Sequence, residues 1–207
     1  SHELKTPLTI IDANTEVLEM EIGSSKWLDS TRNQVIRLTN MVKQFTALAK
    51  MDEAQGFLQR ARFSLSRALN ETVDLFIPVA ASTHRTLQVS SAEDLYYVGD
   101  EEQFRQLFCL LLDNAIKYST PDSTIELALS KHGKHLCFTI SNDCEGIAKG
   151  PQDILFERFY RSDSSRNSST GGSGIGLFIA HSIVENHKGS IHAESPDGKS
   201  LQIKVLL

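Results

Sequence analysis

The first 52 residues carry an apolar stripe that a lone pair of helices cannot bury. Leu4, Leu8, Ile11, Thr15, Leu18 and Ile22 recur at spacings of three and four. Gly23-Ser24-Ser25 breaks the pattern, and Val35, Leu38, Val42, Phe45 and Ala49 resume it. This alternation is a heptad seam, which packs helix on helix at a shallow angle. Two such helices across a short turn form an antiparallel hairpin. A unit this small struggles to offset chain entropy by itself. Pairing two hairpins into a four-helix bundle removes the difficulty, so a symmetric homodimer is the expected solution. Packing of the hairpin on the remainder of its own chain is the alternative.

The remainder reads differently. Residues 53–62 have weak periodicity and contain Gly56, the composition of a linker or hinge. From Phe63 to Leu207 helical and strand patterns alternate. A helix is expected from Ser66 to about Ala81, kinked or interrupted at Pro78. Short strands follow at 87–89 and 96–98, and then a strongly apolar helix from Glu101 to Lys117. Residues 124–131 and 136–140 alternate as a hairpin around Gly133. Ser162 to Gly172 is rich in Ser and Gly and reads as a mobile loop. A helix from Ile175 to Asn186 leads to a last hairpin turning at Pro196-Asp197-Gly198. The expected fold class is α+β: a helical hairpin, then an α/β sandwich whose mixed sheet carries helices on one face.

Composition excludes several classes. A net charge of −5 argues against a nucleic-acid surface, which would be basic. The longest apolar run, Leu107 to Leu112, is far short of a membrane span, so this segment is expected to make no direct membrane contact. Cys109, Cys137 and Cys144 show no CxxC spacing, which disfavours a zinc site or disulfide framework. The chain opens at Ser1-His2 directly in helical sequence and reads as part of a longer protein.

Five blocks carry chemistry. In His2-Glu3-Leu4-Lys5-Thr6-Pro7, Pro7 lacks the N–H that would bond the Glu3 carbonyl, so a kink is expected beside His2. Glu3 can orient the imidazole or take its proton, leaving a ring nitrogen as nucleophile, and Thr6 lies one turn along on the same face. A surface His next to a helix-starting Pro is the plainer reading. In Asp113-Asn114-Ala115-Ile116-Lys117-Tyr118, an Asn among apolar residues is costly unless it binds something. Its amide oxygen suits Mg²⁺, and Lys117 and Tyr118 can reach phosphate; capping of the helix end by Asn114 and Lys117 is the other reading. Gly171-Gly172-Ser173-Gly174-Ile175-Gly176-Leu177 opens a helix, whose N–H groups favour phosphate. No Lys-Ser/Thr pair follows the last Gly, which excludes a P-loop. Asn142-Asp143-Cys144-Glu145-Gly146-Ile147 follows a strand, and Phe156-Glu157-Arg158-Phe159-Tyr160-Arg161 can anchor a lid and bring a cation to phosphates.

In this order the blocks resemble the sensor histidine kinases of two-component systems, over nearly the whole chain. The resemblance implies that residues 1–52 are a dimerisation and phosphotransfer hairpin, with His2 as phosphoacceptor and Thr6 at the position linked to dephosphorylating the partner. It implies that residues 63–207 are a Bergerat-type ATP-binding domain, with Asn114 as the Mg²⁺ ligand of the N-box. Asn142, Gly146 and Ile147 then fall in the G1 box, Arg158 in the F-box, and Gly172, Gly174, Ile175, Gly176 and Leu177 in the G2 box. ATP and Mg²⁺ are the implied cofactors. The implied partner is the receiver domain of a response regulator, and the implied setting is the cytoplasmic side of a membrane-anchored bacterial sensor.

Three positions depart from the family pattern. Asn142 stands where an Asp accepts a hydrogen bond from the adenine amino group, and charge-assisted bonds are roughly twice as strong as neutral ones. Cys144 replaces a Gly, which adds bulk and restricts φ. Leu110 stands where a further Asn is frequent. ATP is therefore expected to bind, but more weakly than with the full pattern. Other Bergerat ATPases would lack the His2 block. A degenerate kinase, acting as phosphatase or as a non-catalytic module, is the main rival; a purely structural scaffold leaves Asn114 and the glycines without purpose.

Overall fold

The computed structural model describes residues 2–53, 58–92, 94–160 and 174–207; within these, the side chains of 2–5, 37, 40, 41 and 43–53 are not described. Two units separate between Gly56 and Phe57. The first is a hairpin of α1 (His2–Ile22) and α2 (Lys26–Glu53). Gly23 takes φ +80° and donates its N–H to Glu19 O at 2.9 Å, which ends α1. Ser25 Oγ accepts from Leu28 N at 3.3 Å and opens α2. Arg32 spans the two helices to Glu19 at 2.9 Å, a half-exposed ion pair worth little. Within one copy of the hairpin only Thr15 and Val35 of the described seam are buried; Ile11, Leu18, Ile22 and Leu38 stay exposed.

The second unit contains β1 (Ala61–Ser64), α3 (Leu65–Ser82), β2 (Thr86–Ser91), β3 (Tyr96–Gly99), α4 (Glu101–Tyr118), β4 (Thr124–His132) and β5 (His135–Asp143). It continues with β6 (Gly150–Pro151), a 3-10 turn (Asp153–Phe156), α5 (Gly176–Asn186), β7 (Ser190–Ser195) and β8 (Ser200–Leu206). The six-stranded sheet runs β2-β4-β5-β8-β7-β6, with β2 parallel to β4 and the other pairs antiparallel. It is mixed, as expected. Alternation decides its faces: Ile125, Leu127, Leu129, Phe138 and Ile140 are buried under the helices, while Glu126, Gln202 and Lys204 are exposed.

Helix α4 is the centre of this core. Its period of three and four buries Phe104, Leu107, Phe108, Leu111, Leu112, Ala115 and Ile116. Phe108 meets Phe138 edge-on at 5.1 Å. At the start of α4, Asp100 Oδ1 caps Gln103 N at 3.2 Å. His187, just past α5, accepts the Asp100 N–H on Nε2 at 3.1 Å, and its Nδ1 lies 2.8 Å from Ile183 O. With one ring nitrogen accepting and the other donating, the imidazole is neutral.

Three local features can now be placed. Helix α3 continues through Pro78 without interruption. Pro78 is exposed, so water can serve the Asp74 carbonyl that loses its helical donor. The expected linker of 53–62 contains the end of α2 at Glu53 and the start of β1 at Ala61, with 54–57 outside the described residues. Strand β5 extends to Asp143 and takes Asn142 into the sheet opposite Leu201.

Burial pushes the His187 pKa below its ordinary value, and Arg60 adds to this against Ile183 and Asp100. The unfolded chain then binds more protons, so this contribution is whole above about pH 6.5 and is lost as pH falls toward the lowered folded pKa. The urea midpoint of the wild type is expected to fall between pH 7.5 and 5 more steeply than that of His187→Gln. Equal slopes would contradict the assignment.

Candidate active site

The last turns of α4 carry Asn114, Lys117 and Tyr118, all half-buried. The α4 axis ends here because Ser119 leaves the helical region at ψ 150° while its N–H still bonds Ala115 O at 2.9 Å. The Asn114 amide makes no hydrogen bond among the described residues, so its oxygen is available to a hard cation. The Lys117 ammonium lies 5.3 Å over the Tyr118 ring, one turn beyond Asn114 along the helix.

One residue beyond the cap, Thr120 N donates to Asp143 O at 3.0 Å. That bond joins the end of α4 to the end of β5, where Asn142 is 5 % exposed. The Asn142 Nδ2 donates to Asp143 O at 3.2 Å, and no hydrogen bond reaches its Oδ1 from the described residues. The amide therefore spends its donor internally and keeps its acceptor, which is the atom an exocyclic amino group needs. Cys144 is absent from the described residues with positive φ, as a residue bearing a side chain favours, and its N–H bonds Lys199 O at 2.8 Å. Its thiol is buried; burial first, then Asp143 and Asp197, push the pKa up and keep it protonated. Gly146 does take φ +70° and holds the turn that leads to the half-buried Ile147.

The aromatic block and the glycine block meet through backbone. Phe159 N donates to Gly174 O at 2.9 Å. A Cβ on Gly174, which has φ +69°, would stand 2.8 Å from Tyr160 O, so only glycine fits. Phe156 is buried and stacks on His181 at 5.6 Å, whereas Phe159 is 52 % exposed with the Arg158 guanidinium 4.9 Å over its ring. Ile175 is buried, and Gly176 opens α5 with Leu177 behind it. A Cβ at Gly176 would lie 3.6 Å from Leu110 Cδ2, so the Leu110 departure fills the join between α4 and α5. Gly172 and the expected lid of Ser162–Gly172 lie outside the described residues.

The structure thus ties Asn114 and Lys117 to Asn142 through Thr120, and Arg158 to Gly174 and α5. His2, Glu3 and Thr6 lie in the first turns of α1, in the other unit; Thr6 is exposed, and the side chains of His2 and Glu3 are not described. One anchoring residue gave no signal in sequence. Asp153 Oδ1 accepts Ala193 N–H at 2.8 Å, pinning the start of the aromatic block to β7, which only the β7 register discloses. These elements offer an oxygen ligand, a cation, an adenine-type acceptor and an open helix N-terminus, a set that fits a Mg²⁺–nucleotide.

Comparison with known proteins agrees. Residues 99–207 match the family described as histidine kinase-, DNA gyrase B-, and HSP90-like ATPase, and residues 1–54 match the His Kinase A (phospho-acceptor) domain. The sensor protein DltS of Streptococcus agalactiae is 34% identical over 99% of this chain and 52% of its own length. The signal transduction histidine-protein kinase BaeS of Escherichia coli is 32% identical over 96% of this chain and 43% of its own. This chain therefore spans about half the length of such relatives. The histidine kinase AdeS of Acinetobacter baumannii shares the fold, with a TM-score of 0.71 and 22% identity over 100% of this chain and 97% of that one. With both segments matched in order along the chain, it belongs to the sensor histidine kinases of two-component systems.

Proposed function

We propose that this chain is the catalytic core of a sensor kinase that moves the γ-phosphoryl group of MgATP to an imidazole nitrogen of His2. The observation that supports this most is the Thr120–Asp143 bond, which locks the metal- and phosphate-facing turn of α4 to the adenine-facing end of β5. In the transfer the P–N bond to His2 forms as the bond between the γ-phosphorus and the bridging β,γ oxygen breaks, and ADP leaves. Glu3 takes the imidazole proton. Asn114 is the metal ligand, and Mg²⁺ supplies neutralisation of phosphate charge. Lys117, Tyr118, Arg158 and the backbone around Gly172, Gly174 and Gly176 position the triphosphate, while Asn142, Gly146, Ile147, Ile175 and Leu177 frame the base and sugar side. Positioning and electrostatics carry such transfers.

The same reading assigns residues 1–52 to dimerisation and phosphotransfer and 63–207 to catalysis. The exposed Ile11, Leu18, Ile22 and Leu38 favour a second copy of the hairpin as their cover. An Asp on the receiver domain of a response regulator then accepts the phosphoryl group, and Thr6 serves its later removal. Among the described residues no helix is long and apolar enough to cross a membrane; we place this segment on the cytoplasmic side of a membrane-anchored bacterial sensor. A degenerate kinase acting as a phosphatase remains the second reading, favoured by Asn142 and Cys144 in place of the family's Asp and Gly.

With γ-labelled ATP and Mg²⁺, acid-labile and base-stable label is expected on the chain. His2→Ala is expected to lose at least 99 % of it while binding ATP within about twofold of wild type, as removal of a nucleophile outside the nucleotide site requires. Label retained without His2 refutes the acceptor; no label with ATP bound favours the phosphatase reading. Asn142→Asp is expected to tighten ATP by about three- to tenfold, through a charge-assisted bond to the adenine amino group. Its melting temperature should fall slightly, because the Nδ2 bond to Asp143 O is lost. Unchanged or weaker ATP binding would contradict the role given to Asn142.

A further inference from the structure

We propose that Arg85, at the entry to β2, is a positioning residue for the nucleotide site: it sets where α4 ends and so where Asn114 and Lys117 present themselves. This rests on the nucleotide reading of that site.

The end of α3 first fixes Arg85 itself. Arg85 N donates to Ala80 O at 2.9 Å and His84 N to Ala81 O at 3.1 Å, while His84 takes φ 57°. That pair of bonds is a Schellman motif, which leaves the following residue little freedom. The Arg85 guanidinium then makes three contacts. Nη1 donates to Thr83 O at 2.5 Å, Nη2 to Ser119 O at 2.6 Å and Nε to Ser119 Oγ at 3.1 Å. Ser119 is the cap of α4 and is 4 % exposed. Its hydroxyl passes the constraint back into the helix by donating to Ile116 O at 3.3 Å. The next residue forward is Thr120, whose N–H reaches Asp143 O.

One planar fork therefore links the end of α3, the end of α4 and the strand bearing Asn142. Only a guanidinium can hold a carbonyl and a hydroxyl side by side on one edge while reaching a third acceptor; an ammonium is a single point of charge. Without it, the buried Ser119 carbonyl and hydroxyl lose their donors and the last turn of α4 is free to fray. The surrounding loop does not depend on Arg85 alone. Asp122 N bonds His84 O at 2.7 Å and Thr86 N bonds Ser123 O at 3.0 Å. Removing the side chain should thus shift the helix end and leave the domain folded.

The test compares the full chain with Arg85→Lys, Arg85→Gln, Ser119→Ala and the control Asn114→Ala. MgATP affinity is read by calorimetry, KM and kcat by initial rates of self-labelling, and folding by thermal melting. Arg85→Lys is expected to raise Kd and KM for MgATP by about five- to twentyfold, with kcat at saturation within about twofold. Its melting temperature should stay within about 4 °C of wild type. Ser119→Ala should move Kd in the same direction by less, and it decides the matter together with Arg85→Lys should Arg85→Gln fail to fold. Wild-type Kd in Arg85→Lys and Ser119→Ala overturns the proposal, as does a parallel loss of kcat and melting temperature, the mark of a merely structural role. If Asn114→Ala weakens MgATP while Arg85→Lys does not, the Arg85 assignment alone fails. If Asn114→Ala has no effect, the nucleotide reading fails and takes this assignment with it.

Discussion

The packing of α4 on the inner face of the sheet is the interaction on which the rest of the second unit depends. Phe104, Leu107, Leu111 and Leu112 are essentially fully buried, and Phe108 seats against Phe138. A helix held so completely along one side cannot roll without opening the core, and core cavities of this size cost several kcal/mol. The half-buried flank of that face is therefore a rigid platform. Asn114 sits on it one residue before the buried Ala115 and two before Ile116, so the chemistry of the amide rides on the packing of its neighbours. Both ends of the platform are tied: the Asp100 end to His187, the Ser119 end to Arg85 and, through Thr120, to β5.

The other half of the site follows a different physical logic. Where α4 is held by side chains, the aromatic and glycine blocks are held by backbone. Gly174 lies so close to Tyr160 that the contact excludes every side chain, and the Phe159 N–H closes it. Asp153 fastens the upstream end to Ala193. Phe156 is driven into the interior while Phe159 faces out beneath Arg158, so two aromatic residues three apart serve separate purposes. Phe159 and Gly174, fifteen positions apart in sequence, thus meet at one backbone hydrogen bond.

Much of this was legible in the sequence because the burden falls on periodic, apolar segments. The alternation of Ile125, Leu127 and Leu129, and the three-four spacing in α4, give strand and helix without tertiary information. The helices that carry the candidate residues of α4 and α5 were legible for the same reason. Strand β1 was not, because its four residues hold only one buried side chain, Phe63, and its partner β3 is distant in sequence. Asn142 was expected beyond the end of a strand, since nothing local indicates that the β5–β8 ladder continues to Asp143. A glycine in a family pattern does not reveal whether a positive φ or only space is needed there, and Cys144 is accommodated without a positive φ. Arg85 gave no signal, because a lone Arg beside a strand acquires meaning only when the fold brings Ser119 to it.

On the reading proposed above, α4, the end of β5 and the start of α5 form one nucleotide site. The most direct measurement is a titration of the ¹⁵N-labelled chain with MgATP, following backbone amide shifts. Asn114, Lys117, Asn142, Gly146 and Gly174 are expected to shift together with one midpoint. Shifts centred instead on the groove of Asp153, His181 and His192, with α4 and β5 unmoved, would contradict that reading.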